Sequence, residues 1–396
     1  MTLPTVRLAP KGDGAARGRH PWVFSGAIAR TEGDPAPGAE VRVLDSAGDF
    51  VGRGLFNPHS QIRVRVYRSQ DEPLDDAFFA ERIRAAAELR AGPLGLGDPD
   101  EACRLVFSEG DGLSGLTVDR YGRHLVVQLT ALALHQRLDA LLDALDPAVA
   151  PTAIMLRTEK GMADEEGLEV RDGPLRGSPP DAPIEIVENG LRFGVDLRTG
   201  QKTGFYLDQR VNRARVSAYA AGREVADVCS YSGAFSVATL RAGAESSVAV
   251  DSSVSALELA AANAERNGVS DRFEHVRANA FEWLEEQGAS GRRFGMVVLD
   301  PPRFARSRRG VNAALQAYHR LNALALRCLE PGGVLATFSC SGRVSEQDFQ
   351  GAVSRAAADS GRPVRIVERL AQAPDHPVST TCPQGAYLKG FVCLVE

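Results

Sequence analysis

From about residue 205 onward the chain alternates apolar, β-rich runs with helical stretches, and few folds can hold that pattern. The runs are Glu224 to Cys229, Ser247 to Val250, Phe273 to Arg277, Met296 to Leu299, Val334 to Phe338, Val364 to Leu370 and Tyr387 to Leu394. Parallel neighbours need a long crossover, usually a helix, so strands alternating with helices predict an α/β, Rossmann-like, mostly parallel seven-stranded sheet. Only the loop Ala371 to Ala386 separates the last two runs, so that pair is expected to be antiparallel. In such a sheet ligands sit outside the carboxyl ends of the strands, where the strand order reverses. Chemistry is therefore expected just after each run.

The upstream sequence reads differently. Residues 1 to about 70 hold short alternating runs, such as Ala39 to Leu44 and Gln61 to Tyr67, between Gly, Asp and Pro turns, which predicts a small β module. From about 72 the pattern is mixed: a helix over Asp75 to Leu89, strands near Leu116 to Val118 and Leu125 to Leu129, a helix over His135 to Ala144 and a strand at Ala153 to Leu156. The stretch Gly173 to Pro183 reads as a boundary or exposed loop. In Ile184 to Leu197 two alternating runs flank Asn189-Gly190, a strong hairpin signal. The expected domains are residues 1–70, 72–183 and 184–396.

Composition narrows the function. The six cysteines, at 103, 229, 328, 340, 382 and 393, include no CxxC pair and have no His at ligand spacing, so neither a metal site nor a disulfide framework is expected. The start of the chain lacks an apolar signal region and no long apolar run follows, which favours the cytoplasm over a membrane. A net charge of −5 means that any contact with RNA is local. Arginines cluster at Arg17 and Arg19, at Arg63, Arg65 and Arg68, and most densely at Arg303, Arg306, Arg308 and Arg309.

The first run leads into Asp227, Cys229, Ser230, Tyr231, Ser232, Gly233, Ala234 and Phe235, a small-residue turn whose backbone N–H groups can face an anionic group. It is not GxGxxG. The second run ends at Asp251, placed to accept from ribose hydroxyls or to cap a helix. After the third comes Asn279, placed to read an adenine edge. Those features suit a dinucleotide or a nucleoside-sulfonium cofactor. The fourth run ends in Asp300, Pro301, Pro302, Arg303 and Phe304, where two prolines delay a helix and leave a rigid loop able to hold a planar base. The fifth ends in Ser339-Cys340-Ser341-Gly342. If these two strands are neighbours, Asp300 and Cys340 face one crevice. A thiolate adding at carbon 6 of a pyrimidine makes carbon 5 nucleophilic, and a base then removes the carbon 5 proton.

These motifs carry a resemblance over nearly the whole chain. With His20 to Arg30, Gly110 to Gly122, Lys202 to Arg210 (KTGFYLDQR), Ser230 to Phe235, Asp300 to Phe304, Phe338 to Gly342 and Asp375 to Gly390, the sequence resembles the bacterial ribosomal RNA large subunit methyltransferase I family. The resemblance implies a PUA-type RNA-binding domain, a small α/β domain and a class I methyltransferase domain. It implies S-adenosyl-L-methionine as cofactor, 5-methylcytosine in 23S rRNA as product, Cys340 as nucleophile, and rRNA or a ribosome-assembly intermediate as partner. It also implies that Lys202, Tyr206, Asp208 and Arg210 close over the methionine part of the cofactor. Two departures stand out: Asn279 where such enzymes often carry Asp, and Arg303 where Lys is common, which keeps charge and changes geometry.

Other readings compete. A related class methylates guanine N7 with the same signatures but needs no thiolate. A nicotinamide-dependent oxidoreductase lacks its GxGxxG here. A non-catalytic RNA-binding protein would have no need of Asp251, Asp300 and Cys340. The target nucleotide and the oligomeric state, homodimer included, stay open.

Overall fold

The protein is described by a computed structural model that covers residues 3–158, 165–168, 172–198, 200, 202–305 and 308–396. It divides into two compact units: residues 1–186, 195–207 and 374–385 form the first, and residues 187–194, 208–373 and 386–396 the second.

In the first unit β1 (Thr5–Leu8), β2 (Trp22–Phe24), β3 (Ile28–Glu32), β4 (Glu40–Leu44), β5 (Phe50–Phe56) and β6 (Ile62–Arg68) form one sheet, ordered β2-β6-β5-β4-β1-β3. Alternation puts Val6, Leu8, Val41, Val43 and Val64 into its core. A second sheet holds β7 (Ala102–Phe107), β8 (Leu116–Tyr121), β9 (His124–Leu129), β10 (Ala153–Leu156) and β11 (Gly173–Gly177), ordered β11-β10-β9-β8-β7. The helix Asp76–Ala91, capped by the Asp75 carboxylate on Phe78 N, and the helix Leu138–Val149 contribute Phe78, Phe79, Ile83, Leu141 and Leu145 to its core.

One expectation is corrected here and one strand is added. Residues 173–177 form a strand although Gly and Pro made them read as a loop; antiparallel pairing with β10 holds them, and a sheet edge tolerates Pro174. The run Ala102–Phe107, without alternation, is also a strand, mostly buried and paired with β8. The Asn189-Gly190 hairpin is present: β12 (Ile184–Glu188) and β13 (Leu191–Val195) flank it, with φ of 53° and 76° at the two turn residues.

The second unit is built on β14 (Glu224–Val228), β15 (Ser246–Asp251), β16 (Phe273–Arg277), β17 (Phe294–Leu299), β18 (Leu329–Ser339), β19 (Val364–Ala371) and β20 (Lys389–Val395), ordered β16-β15-β14-β17-β18-β20-β19. The first five strands are parallel, and β20 is antiparallel to both β18 and β19. Its core includes Val228, Val250, Leu299, Leu335, Phe349 and Phe391. β18 starts earlier than its apolar run because Leu329 pairs with Phe294 across a register shift, which absorbs the turn-like Pro331-Gly332-Gly333. Strand order reverses between β14 and β17, which puts the crevice at their carboxyl ends. Among the described residues no helix is long and apolar enough to cross a membrane.

Candidate active site

Beyond β14 the chain makes an abrupt turn in which Cys229 (φ 64°), Tyr231 (φ 47°) and Gly233 (φ 69°) are all left-handed. For the two residues with side chains this costs of order 1 kcal/mol each, strain of the kind that gathers at ligand sites. Cys229 N and Ser230 N donate to Val250 O at 2.8 and 3.1 Å, and Tyr231 N donates to Asp251 Oδ2 at 2.9 Å. Asp251 Oδ1 also accepts from Ser253 N, while Ser253 itself caps the helix Val254–Arg266. Asp251 is therefore a tie between two strand ends and not the helix cap. A Cβ on Gly233 would lie 2.8 Å from that of Ala260, so only glycine fits between the turn and that helix.

Asp227 is buried under the turn. Its Oδ2 accepts from Ser236 N and Oγ, but its Oδ1, like Ser230 Oγ, is buried without a hydrogen-bond partner. Burial, with Asp251 adding to it against the Ser236 hydrogen bonds and Arg213, pushes the Asp227 carboxyl up to about 6. Unpartnered buried polar atoms of this kind suit a polar ligand. The Cys229 thiol is pushed far above its usual range, first by burial and then by Asp251, Asp300 and Asp227. Asn279 is exposed and caps the helix Ala280–Ser290, its Oδ1 accepting from Phe281 N at 2.9 Å. The carbonyl of the side chain that the sequence placed to read an adenine edge is thus used in the helix cap.

On the other side of the switch point β17 runs into Asp300, whose N donates to Val228 O at 3.3 Å, and then into the two prolines. β18 is the neighbour of β17 and ends one residue before Cys340, and the Cys340 thiol lies 3.8 Å from the carbonyl O of Pro301, the residue after Asp300. Ser341 joins the two loops. Its Oγ accepts from Ala305 N at 3.3 Å and shares a hydrogen bond of 3.0 Å with Tyr318 Oη. Pro302 and Arg303 are exposed, whereas Phe304 packs on Tyr318 at 4.9 Å and on Phe281 at 6.3 Å between centroids. Sequence reasoning missed Tyr318, the linking role of Ser341, and Lys389, whose Nζ donates to Ser341 O and Val344 O; a lysine at the head of an otherwise apolar strand was a readable signal.

The segment Lys202 to Arg210 is shared between the units. In the first, Lys202 (φ 51°) is exposed and sits 4.0 Å over the Tyr206 ring, and the buried Thr203 Oγ1 bonds Asp119 Oδ2 at 2.5 Å and Tyr121 Oη at 2.8 Å. In the second, Asp208 is buried and accepts from Tyr387 Oη at 2.6 Å, and Arg210 begins the helix Arg210–Ser217.

Of the arginine groups, Arg65 is buried on Glu166 and Ser114, and Arg68 pairs with Glu72. That cluster serves the fold. Arg309 is exposed, and Arg306 lies outside the described residues. Among the described residues no group of three or more His, Cys, Asp or Glu could hold a metal ion.

Comparison with known proteins adds to this geometry. Residues 6–69 match a PUA-like domain profile, and residues 166–390 match that of the S-adenosylmethionine-dependent methyltransferases. The ribosomal RNA large subunit methyltransferase I of Erwinia tasmaniensis is 41% identical over 379 residues, 95% of this chain and 96% of the relative. That of Photobacterium profundum is 40% identical over 395 residues, 99% of both chains. Among solved structures, a candidate SAM-dependent methyltransferase from Streptococcus mutans superposes with a TM-score of 0.85 at 20% identity, covering 98% of this chain and 99% of that one. A candidate methyltransferase complexed with SAH superposes with a TM-score of 0.86 at 20% identity over the same shares. These two establish likeness of fold.

Proposed function

The chain belongs to the ribosomal RNA large subunit methyltransferase I family of S-adenosylmethionine-dependent methyltransferases, and on that premise we propose that it converts a cytosine of 23S rRNA to 5-methylcytosine through a covalent adduct of Cys340. The observation that carries the choice of base is the thiol of Cys340 beside the Asp300-Pro301 loop, 3.8 Å from Pro301 O. A guanine ring nitrogen has its own lone pair and needs no thiolate; carbon 5 of cytosine does need one.

Bound S-adenosylmethionine supplies an electrophilic sulfonium methyl group. Asp227, Ser230, Tyr231, Ser232, Gly233, Ala234, Phe235, Asp251 and Asn279 are assigned to its binding, together with Lys202, Tyr206 and Arg210. Asp208 serves through Tyr387, with which it is already hydrogen-bonded. The unpartnered Asp227 Oδ1 and Ser230 Oγ, and three carboxylates around one turn, suit a cationic, polar cofactor.

In this reading the Cys340 thiolate forms a bond to carbon 6 of the base as the carbon 5–carbon 6 π pair moves to carbon 5, which becomes the nucleophile. After methylation a base removes the carbon 5 proton, the double bond re-forms and the sulfur–carbon 6 bond breaks. Asp300 holds the N3 edge and is a candidate for that base, with bound water the other. Pro301, Pro302 and Phe304 keep the loop rigid, and Arg303 and Arg309 meet RNA phosphates. Residues 1–70 act as the RNA-binding domain, 72–183 as the small α/β domain and 184–396 as the catalytic domain, in a cytoplasmic enzyme.

The test is mass spectrometry of the protein incubated with S-adenosylmethionine and an rRNA transcript containing 5-fluorocytosine, whose fluorine cannot leave as a proton does. An adduct formed by the wild type and lost in Cys340→Ala supports the reading. Methyl transfer to guanine that survives Cys340→Ala overturns it in favour of the N7 chemistry.

A further inference from the structure

Lys389 opens β20, where the register sets it against Ser339, the last residue of β18. A lysine is costly there. The residue is only 7% exposed, and a buried ammonium must recover from protein groups what it loses in hydration. Its Nζ donates to Ser341 O at 2.8 Å and to Val344 O at 2.7 Å, so one side chain ties both ends of the turn that follows Cys340. Ser341 is held a second time through its Oγ, by Ala305 N and Tyr318 Oη.

Hydrogen bonds to two carbonyls do not need a charge; a neutral amide could make them more cheaply. The charge itself therefore calls for an account. Burial pushes the Lys389 ammonium down to about 8, and the two groups that favour its charged form are Cys340 and Glu346. Glu346 already pairs with Arg369 at a half-exposed position, which blunts its pull. Tyr318, on the helix Val311–Arg327, meets the same loop through Ser341, and burial holds its hydroxyl above the usual range, in the neutral form. Asp300, on the adjoining loop, disfavours the thiolate of Cys229. Among these groups Lys389 is the cation whose interaction with Cys340 is mutual: each charge favours the other.

We propose that Lys389 is a positioning residue for Cys340, clamping the Ser341–Val344 turn and favouring the thiolate with a buried positive charge. This rests on the reading of Cys340 as the nucleophile. It adds a division of labour, in which Asp300 handles the base and Lys389 readies the thiol.

The test uses the full chain with Lys389→Gln, which keeps hydrogen-bond donors and loses the charge, and Lys389→Arg, which keeps both. Lys389→Met takes the place of the glutamine variant should that one fail to melt cooperatively. Alkylation of Cys340 by iodoacetamide, followed peptide by peptide by mass spectrometry across pH, reads the thiolate directly. The expected result is an upward move of the Cys340 midpoint by about one pH unit or more in Lys389→Gln, with alkylation at pH 7 about tenfold slower. kcat for methyl transfer should fall at least as far with KM for RNA unchanged, and Lys389→Arg should restore the midpoint. An unmoved midpoint in a folded Lys389→Gln protein overturns the proposal while leaving Cys340 as nucleophile. Methyl transfer that survives Cys340→Ala removes the nucleophile, and the role of Lys389 with it.

Discussion

Two cysteines of the catalytic sheet occupy matching places. Cys229 follows β14 and Cys340 follows β18, each one residue past its strand and each half-buried. Their surroundings are opposite. Cys229 lies in a strained turn with Asp251, Asp300 and Asp227 around it, and burial together with those charges keeps it a thiol. Cys340 lies on a loop whose neighbouring carbonyls are held by the ammonium of Lys389. Position after a strand does not separate the two; the charges beside them differ. The negative turn suits a sulfonium cofactor and the lysine-backed turn suits a nucleophile, so one sheet edge holds two chemistries a few strands apart.

The largest effect expected from this contrast is on catalysis. Cys340→Ala should lower methyl transfer by about 10⁴-fold or more, as loss of a covalent nucleophile does, while Cys229→Ala stays within about tenfold of wild type. Comparable losses in single-turnover assays of the two variants would break the distinction.

Next comes Asp300→Asn, expected to reduce kcat by about 10³-fold, within the range for a lost acid–base group. Because Asp300 is one of the carboxylates that hold Cys229 neutral, the same variant should make Cys229 easier to alkylate. Unchanged alkylation of Cys229 would mean that burial alone silences it.

Asp227 tests the cost of the negative turn. Its folded-state value of about 6 lies above that of an unfolded carboxyl, so the folded protein binds the extra proton and stability is lost as pH rises from about 4 to about 6. The loss amounts to about 3 kcal/mol. In urea unfolding, the stability of Asp227→Asn relative to wild type should rise over that interval and then level off. A difference that stays constant from pH 4.5 to 7.5 would show that Asp227 is not held as described.

The smallest effect is geometric. Gly233→Ala meets both a left-handed φ and a Cβ contact of 2.8 Å, and should cost about 2 kcal/mol of stability along with weaker cofactor binding. Thermal melting with and without S-adenosylhomocysteine reads both, and an unshifted melting temperature would mean that the turn relaxes cheaply.

Much of the catalytic unit was legible because parallel strands and their crossover helices are local, periodic signals. The limits of β16, Phe273–Arg277, coincide with the strand expected from the sequence, and the antiparallel end of the sheet follows from the missing helix between Ala371 and Ala386. Elements whose hydrogen bonds depend on a distant partner were less legible. β11 looked like a loop until β10 paired with it, and the first residues of β18 looked like a turn until Leu329 met Phe294.

The site divides in the same way. Residue types after strand ends were readable one by one: the thiol at 340, the carboxylates at 227, 251 and 300, the prolines at 301 and 302 and the glycine at 233. Sequence by itself determined which residue types follow the strand ends and, through the alternation of strands and helices, that those ends share one edge of the sheet. What only the tertiary structure decided is which of them are charged and what each one touches. Asp251 ties two strand ends, Asn279 spends its carbonyl on a helix cap, and Lys389, far along the chain in a buried strand, reaches the loop that carries Cys340. The reason is physical: the state of an ionisable group depends on burial and on charges brought within a few ångströms, and chain order does not record those distances.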